Sequence, residues 1–305
     1  MIPVSPRATP IDLTLLAPPT IIDPIDPDRL VLDWIADLKR RLPEWTGVFD
    51  QDPFVKACHV WAYALANKLA RDNKRCEAVL LATSSGADLD QIAATYYADL
   101  GVRRLVVTAG DADAVPPVAP VMESDDRFRD RIRLAPEAYA GTGTEGGYRY
   151  WALTAVPRLM DAGLGVSDDL DRRLTLIALP PDDLDPAAVS LAILDEVRKH
   201  KPLTDVVSVG IARPMAYRIK GVLQHGAGAD PAMLRQIAVE RCRAVADHAS
   251  AHVGEIVGTD ALIAAMRVPG VTRCLLEEPL QHFDPGFDGV ARAVSIDIRT
   301  ERRDG

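Results

Sequence analysis

Apolar residues recur three and four apart through most of the first half of the chain, and at every second position through much of the remainder, with the change near Arg172. Four Asp-Pro pairs, Asp26-Pro27, Asp52-Pro53, Asp185-Pro186 and Asp230-Pro231, each precede an apolar pattern of helical period. An aspartate there accepts from the unpaired N–H groups of the first turn, and a proline at the first helical position has no N–H to lose. The first helix is expected to carry Leu30, Trp34, Ile35, Leu38 and Leu42 on one side, and the second Phe54, Cys58, Trp61, Ala62, Leu65 and Leu69. Leu89, Ile92, Ala93, Tyr96 and Leu100 mark a third, with Gly101 suited to the left-handed residue past its end. A short strand over 103–108, a surface loop over 110–120, a helix capped by Ser124 and an aromatic-bearing helix starting at Tyr148 follow. Asp125 and Asp126 suit the first turn of the helix after Ser124, where the backbone dipole is positive.

Beyond Arg172 the pattern predicts strands over 174–179 and 206–211 around a helix over 186–200. A turn at 212–214 leads to a third strand, where Met215, Tyr217, Ile219, Gly221 and Leu223 alternate with Arg218, Lys220 and Gln224. A long helix over 231–253, a shorter one capped by Thr259, and strands over 271–276 and 291–298 complete the chain. The expected class is α+β: a mainly helical N-terminal half, then a ferredoxin-like (split βαβ) α/β sandwich with an added edge strand. Three parts are expected: an extended, proline-rich arm over 1–27, a mainly helical domain over 28–165, and the ferredoxin-like domain over 172–305. The connector from Gly163 to Asp171 is the candidate hinge between two rigid bodies. The apolar residues of the arm imply that it straps its own domain or a neighbouring subunit.

A chain of 305 residues with 48% hydrophobic and 26% charged content is long enough for two or three packed units. Its formal charge of −9, with bases interleaved among acids, argues against a nucleic-acid surface. Cys58, Cys76, Cys242 and Cys274 are scattered with no C-x-x-C pair, so they read as reduced thiols. No apolar run approaches the roughly 20 residues that span a bilayer, and no secretory leader is evident.

Candidate chemistry is sparse. The glycine-rich run over 141–147 lacks the Gly-Lys-Ser/Thr of a phosphate loop and reads as a connector. His248 and His252 stand four apart on one helical face, a spacing metals use, without the glutamate of a zinc protease or an evident third ligand. His59 reads as a core or boundary residue. Ser84 and Ser85 have no nucleophile elbow around them. The acid groups Asp111 with Asp113, Asp168 with Asp169 and Asp171, and Asp182 with Asp183 and Asp185 do not follow calcium-loop spacing. Neither a catalytic residue nor a cofactor or metal site is expected.

The block over 52–151 resembles the phage baseplate J-like proteins. The likeness begins in the helical run PFVKACHVWAY from Pro53 and continues in ATSSGADLDQ over 82–91, where Gly86, Asp88, Leu89 and Asp90 form the family turn. It then takes in VMESDDRFRDRI over 121–132, with Glu123, Ser124, Asp125, Phe128, Arg131 and Ile132. Pro136 and Glu137 come next, before the glycine run, and KPLTDVVSV over 201–209 continues it more weakly. The resemblance implies a non-enzymatic, structural wedge protein of a contractile tail baseplate, forming a ring around the hub and passing on its rearrangement at contraction. The implied partners are other copies of itself, a second wedge protein, a sheath-proximal baseplate protein and hub or spike proteins, with no nucleic acid and no membrane insertion. The implied location is the virion tail, assembled in host cytoplasm. Ile21, Ile22, Trp34 and Trp45 are the candidate interface residues. A tailocin or injection-system subunit is the nearest alternative, and an α/β enzyme with a small-molecule site by the glycine run is the other.

Overall fold

The structure, a computed structural model, describes residues 25–46, 49–166, 173–228 and 230–303. Most of the expected arm, Ile21 and Ile22 included, lies outside the described residues, as does the acid group Asp168, Asp169 and Asp171. Helices and strands are mixed throughout, and the chain is of α+β class. It divides into two compact units with the break between Arg103 and Arg104.

The first unit is helical: α1 (Pro27–Arg41), α2 (Pro53–Ala78) and α3 (Gly86–Tyr97). Asp26 accepts from the Arg29 N–H at 3.1 Å, and Asp52 from the Phe54 N–H at 2.8 Å, as the Asp-Pro pairs predict. The buried stripe of α2 differs from the expected one. It consists of Val55, Cys58, Ala62 and Ala66, with Phe54 and Trp61 exposed beside it. Cys58 and Ala62 are small, and α1 seats Val31 against them, with Leu30, Trp34, Ile35 and Leu38 partly buried around the contact. His59, expected in the core or at its boundary, is exposed on the outer side of α2. A single turn of 3-10 helix over Ala98–Leu100 ends at Gly101, whose φ of 63° is the left-handed cap the sequence predicts.

The second unit begins with a hairpin of β1 (Val106–Thr108) and β2 (Val121–Met122), whose long connection is closed by paired backbone bonds between Asp111 and Val118. Next come α4 (Asp125–Ala140) and α5 (Glu145–Ala155), then β3 (Asp161–Val166), β4 (Leu174–Leu179), α6 (Pro186–His200), β5 (Val207–Ile211) and β6 (Arg213–His225). The rest is α7 (Pro231–Ser250), α8 (Thr259–Met266), β7 (Val271–Glu278) and β8 (Gly289–Arg302).

One split-βαβ sheet is not what these strands form. They make two three-stranded sheets, β3-β4-β5 and β7-β6-β8. The division falls at Ala212: β4 is flanked by β3 and β5, and the chain leaves that sheet after Ala212, before β6 takes β7 and β8 as its own partners. The expected turn at 212–214 is a bend. Ala212 still donates to Ala178 in the first sheet, and Arg213 already donates to Asp288 beside the second, so one continuous ribbon crosses between them. Ile177, Leu179, Ala212, Val253 and Val290 are buried together at this crossing, with Phe287 packed on them. The main core lies under α7 and α8, where Leu234, Ala238, Cys242, Leu262 and Met266 meet Tyr217, Ile219, Leu223 and Ile298 of the second sheet. Thr259 opens α8 instead of capping it, because Gly258 holds the cap position.

The first part of the expected hinge is a strand. Gly163 and Gly165 belong to β3, paired in register with Ile177 and Thr175 of β4, and the remainder of that connector from 167 lies outside the described residues. Glycine is needed there for close approach: a Cβ on Gly165 would stand 2.7 Å from the Phe287 ring.

Candidate assembly site

Several residues of the family-like block converge on one buried carboxylate. Glu123, just after β2, is 2% exposed. One of its oxygens takes Arg127 Nη1 and Arg131 Nε, the latter at 2.9 Å, and the other takes Arg131 Nη2 at 2.8 Å and the Leu105 N–H at 3.3 Å. Ser124 caps α4 by accepting from the Arg127 N–H, which starts the helix so that residues 127 and 131, four apart, present both guanidinium groups to Glu123. Two cations against one anion leave charge over, and backbone oxygens absorb it. Arg127 donates to the carbonyls of Leu153 at 2.8 Å and Val156 at 3.1 Å, where the C-terminal end of α5 is negative. Burial nevertheless pulls the Arg127 pKa below its ordinary value, against the opposing pull of Glu123.

Arg104 closes the cluster, donating to the Glu123 carbonyl at 2.7 Å and pairing with Asp125 at 2.8 Å. Phe128 lies between Arg104 and Arg131, with guanidinium carbons 5.0 and 5.5 Å from its centroid. Ile132, four residues on from Phe128, is fully buried, and Pro136 stands inside α4. Glu137 turns its carboxylate to the Gly146 N–H at 3.0 Å, the first turn of α5. The glycine run is therefore no loose connector: it ends α4 with a left-handed Gly141 and begins α5 inside itself, capped by Thr144. A Cβ on Gly146 would fall 2.3 Å from a Glu137 oxygen. The Tyr148 hydroxyl donates to Asp205 at 2.5 Å, and Trp151 stacks on His200 with centroids 3.5 Å apart. The space left among these groups is about 10 Å³, room for about one water molecule and none for a metabolite.

The remaining candidates are placed as follows. At the start of α3, Gly86 has a φ of 54°, Asp88 stands in the first helical turn, Leu89 is fully buried and Asp90 faces outward. Trp34 meets Trp61 edge to face at 6.1 Å, and Trp45 donates to Asp52 at 2.8 Å. Both Trp34 and Trp45 are half-buried. Ser84 is buried. Asp111 accepts from the backbone of Asp113 and Ala114, Asp185 caps α6, and Asp183 pairs with Arg158 at 2.7 Å. His248 and His252 adjoin with ring centroids 4.5 Å apart, and among the described residues no group of three or more His, Cys, Asp or Glu is placed to hold a metal. No described helix is long and apolar enough to cross a membrane.

Sequence reasoning missed the outward apolar residues of α2: Val60, Trp61 and Tyr63 are 64%, 56% and 69% exposed. The signal was available, since these positions lie off the stripe set by Val55, Cys58, Ala62 and Ala66. In the second unit Ile256 and Leu280 are similarly outward. The carboxylate of Glu123 is engaged from every side, and the apolar side chains left outward on α2 and at Ile256 and Leu280 are of the kind that contact with other proteins covers.

Comparison with known proteins narrows this reading. Residues 50–111 match the family described as Baseplate J-like N-terminal domain. The chain is 30% identical over 286 residues to Baseplate protein J of Escherichia phage P2, covering 88% of this chain and 91% of that one. It belongs to the baseplate J-like family, and its role is that of a structural baseplate component. A cryo-EM structure of the anti-feeding prophage baseplate, 6-fold symmetrised, aligns with 59% of this chain and 44% of its own at 14% identity and a TM-score of 0.39, below the level of a shared fold.

Proposed function

We propose that the protein is a wedge subunit of a contractile tail baseplate, joining copies of itself to a second wedge protein, a sheath-proximal protein and the hub or spike. The observation that carries this reading is the likeness to a baseplate protein along nearly the whole chain. The structure supports it physically: the residues of the family-like block serve one another in the Glu123 cluster and the Glu137 cap, as a rigid part needs, and leave apolar side chains outward for partners. Trp34, Trp45 and the segment holding Ile21 and Ile22 are assigned to those contacts. The protein acts in the tail, following synthesis in the host cytoplasm, and transforms no substrate. A phage tail, a tailocin and an injection machine would use the same surfaces.

Deleting the gene from its particle-producing host and restoring it in trans tests the reading. The expected result is loss of assembled baseplates without the gene, recovery with it, and the chain itself in purified particles by mass spectrometry and imaging. Intact particles lacking this chain would end the proposal.

A further inference from the structure

One edge of the long strand β6 is bare over its first half. β8 pairs with β6 along its whole length, from Arg213 to His225, whereas β7 joins it only from Lys220 onward. Ala212 donates to β4, and the next residue, Arg213, donates to Asp288 beside β8, so β4 and β8 lie on opposite sides of the ribbon. Past Ala212 the side that β4 leaves has no partner strand among the described residues until β7 takes it up, which leaves the stretch from Arg213 to Ile219 uncovered. Successive backbone groups of a strand point to alternate sides. The N–H groups of Ala216 and Arg218, and the carbonyls of Pro214, Ala216 and Arg218, therefore face the bare side, and Pro214 removes only the first donor. Arg213, Pro214, Met215, Ala216 and Arg218 are all exposed. Beside the start of this gap lies a hollow of about 440 Å³ with a largely apolar lining that includes Leu179, Leu184, Ile211 and Val290, and Asp182 and Arg292 as its charged members.

The chain itself holds a segment that suits such a gap. Ile11, Leu13 and Leu15 alternate with Asp12, Thr14 and Leu16, and Pro10 and Pro18 bound the run. From Ile11 to Ala17 it is as long as the gap from Arg213 to Ile219, and no longer run free of proline lies outside the described residues. Residues 18–24, three of them proline, can span on the order of 20 Å between it and the start of α1, enough to carry it to a neighbour. We propose that residues 11–17 of one copy add as a strand to the bare edge of β6 in a second copy. The inference rests on the reading that copies of this chain assemble together, and names the contact they use. Backbone bonds to Ala216 and Arg218 supply the pairing, and the apolar side of the segment, Ile11, Leu13 and Leu15, seats against the hollow. The prolines at its ends confine the added strand to the length of the gap. Segment and edge are different and every copy has one of each, so the contact is heterologous. It repeats head to tail, and closes a ring where the rotation permits.

Sedimentation velocity and hydrogen exchange on the full chain test this. The wild type is expected to associate with rising concentration, and the amides of Ala216 and Arg218 to gain protection as it does. Leu13→Pro, which interrupts the segment, and Ala216→Pro, which removes an edge donor that β8 does not use, are each expected to weaken association at least about tenfold. An equimolar mixture of the two variants retains one intact segment and one intact edge, so it should form a one-to-one pair that grows no further. Melting curves check the fold; should Ala216→Pro unfold, the loss of amide protection in Leu13→Pro takes its place. A wild type monomeric at every concentration, as a segment closing on its own copy would give, overturns the contact. So do variants that associate as the wild type does, protection that Leu13→Pro leaves unchanged, or a mixture without the one-to-one pair. The chain's presence in particles is read separately, so this contact can fail while the baseplate role stands.

Discussion

Glu123 is the residue on which most others depend, because its carboxylate is the counter-charge for two guanidinium groups withdrawn from water. Removing one partner of such a set strands the others in a medium that solvates charge poorly, at a typical cost of about 3–5 kcal/mol. Glu123→Gln is expected to lower unfolding stability by that order in urea titration, and Arg40→Ala, which ends the surface pair with Asp37, by less than about 1 kcal/mol. Equal losses would show that the buried cluster is no stronger than a surface pair. Tyr217 offers a test through pH. Burial first, then the charges of Asp247 and Cys242, push its pKa up to about 12, and its hydroxyl is buried without a hydrogen-bond partner among the described residues. A group whose folded pKa lies above its unfolded value adds stability below the unfolded value and loses it as pH rises through the folded one. Stability should therefore decline from about pH 10 to about pH 12, and Tyr217→Phe should flatten that decline while costing little at neutral pH. A variant as alkali-sensitive as the wild type would assign the decline to other groups.

At the scale of elements, sequence was read most reliably where a terminus has a chemical requirement. All four Asp-Pro pairs start helices, and the first residues of α1, α2, α6 and α7 are those expected. Strand β3 is hidden in the sequence because Asp-Ala-Gly-Leu-Gly-Val has the composition of a linker, and its glycines answer to side chains far along the chain, Val253 and Phe287. Period alone misplaces the buried stripe of α2 on Phe54 and Trp61, where cysteine and alanine occupy it; a close helix contact selects small residues, which carry a weak hydrophobic signal. If β3 is a packed strand, Gly165→Ala should cost about 1–3 kcal/mol through overpacking against Phe287. A wild-type melting curve for that variant would return the segment to the status of a linker.

Across the whole molecule, function was legible through resemblance and barely through chemistry. The order of motifs from Pro53 to Tyr148 pointed to the family, while no single residue did, because the Glu123 cluster forms only when Leu105, Arg127, Arg131 and the end of α5 meet in space. The two units differ in what they bury: α1 and α2 share a cluster around Val31, Cys58 and Ala62, whereas α7, α8 and the second sheet enclose a far larger one. Calorimetry of the full chain is expected to show two transitions, the first assigned to the helical unit by the fluorescence of Trp34, Trp45 and Trp61 in a Trp151→Phe variant. One sharp transition would mean that the units melt as one.

The parallel partnership of β6 and β8, running from Arg213 opposite Gly289 to His225 opposite Arg302, has a mechanical consequence. Tension applied to the two strands in opposite senses along their axes loads every rung of the ladder together, so the ribbon resists like a lap joint and does not unzip. Because β6 is continuous with β5 through Ala212, a pull on the first sheet reaches this joint through covalent bonds. In an optical trap, handles placed to shear β6 against β8 should rupture at higher force than handles placed to peel β7 away; the reverse order would deny the strand pair its role as a tether.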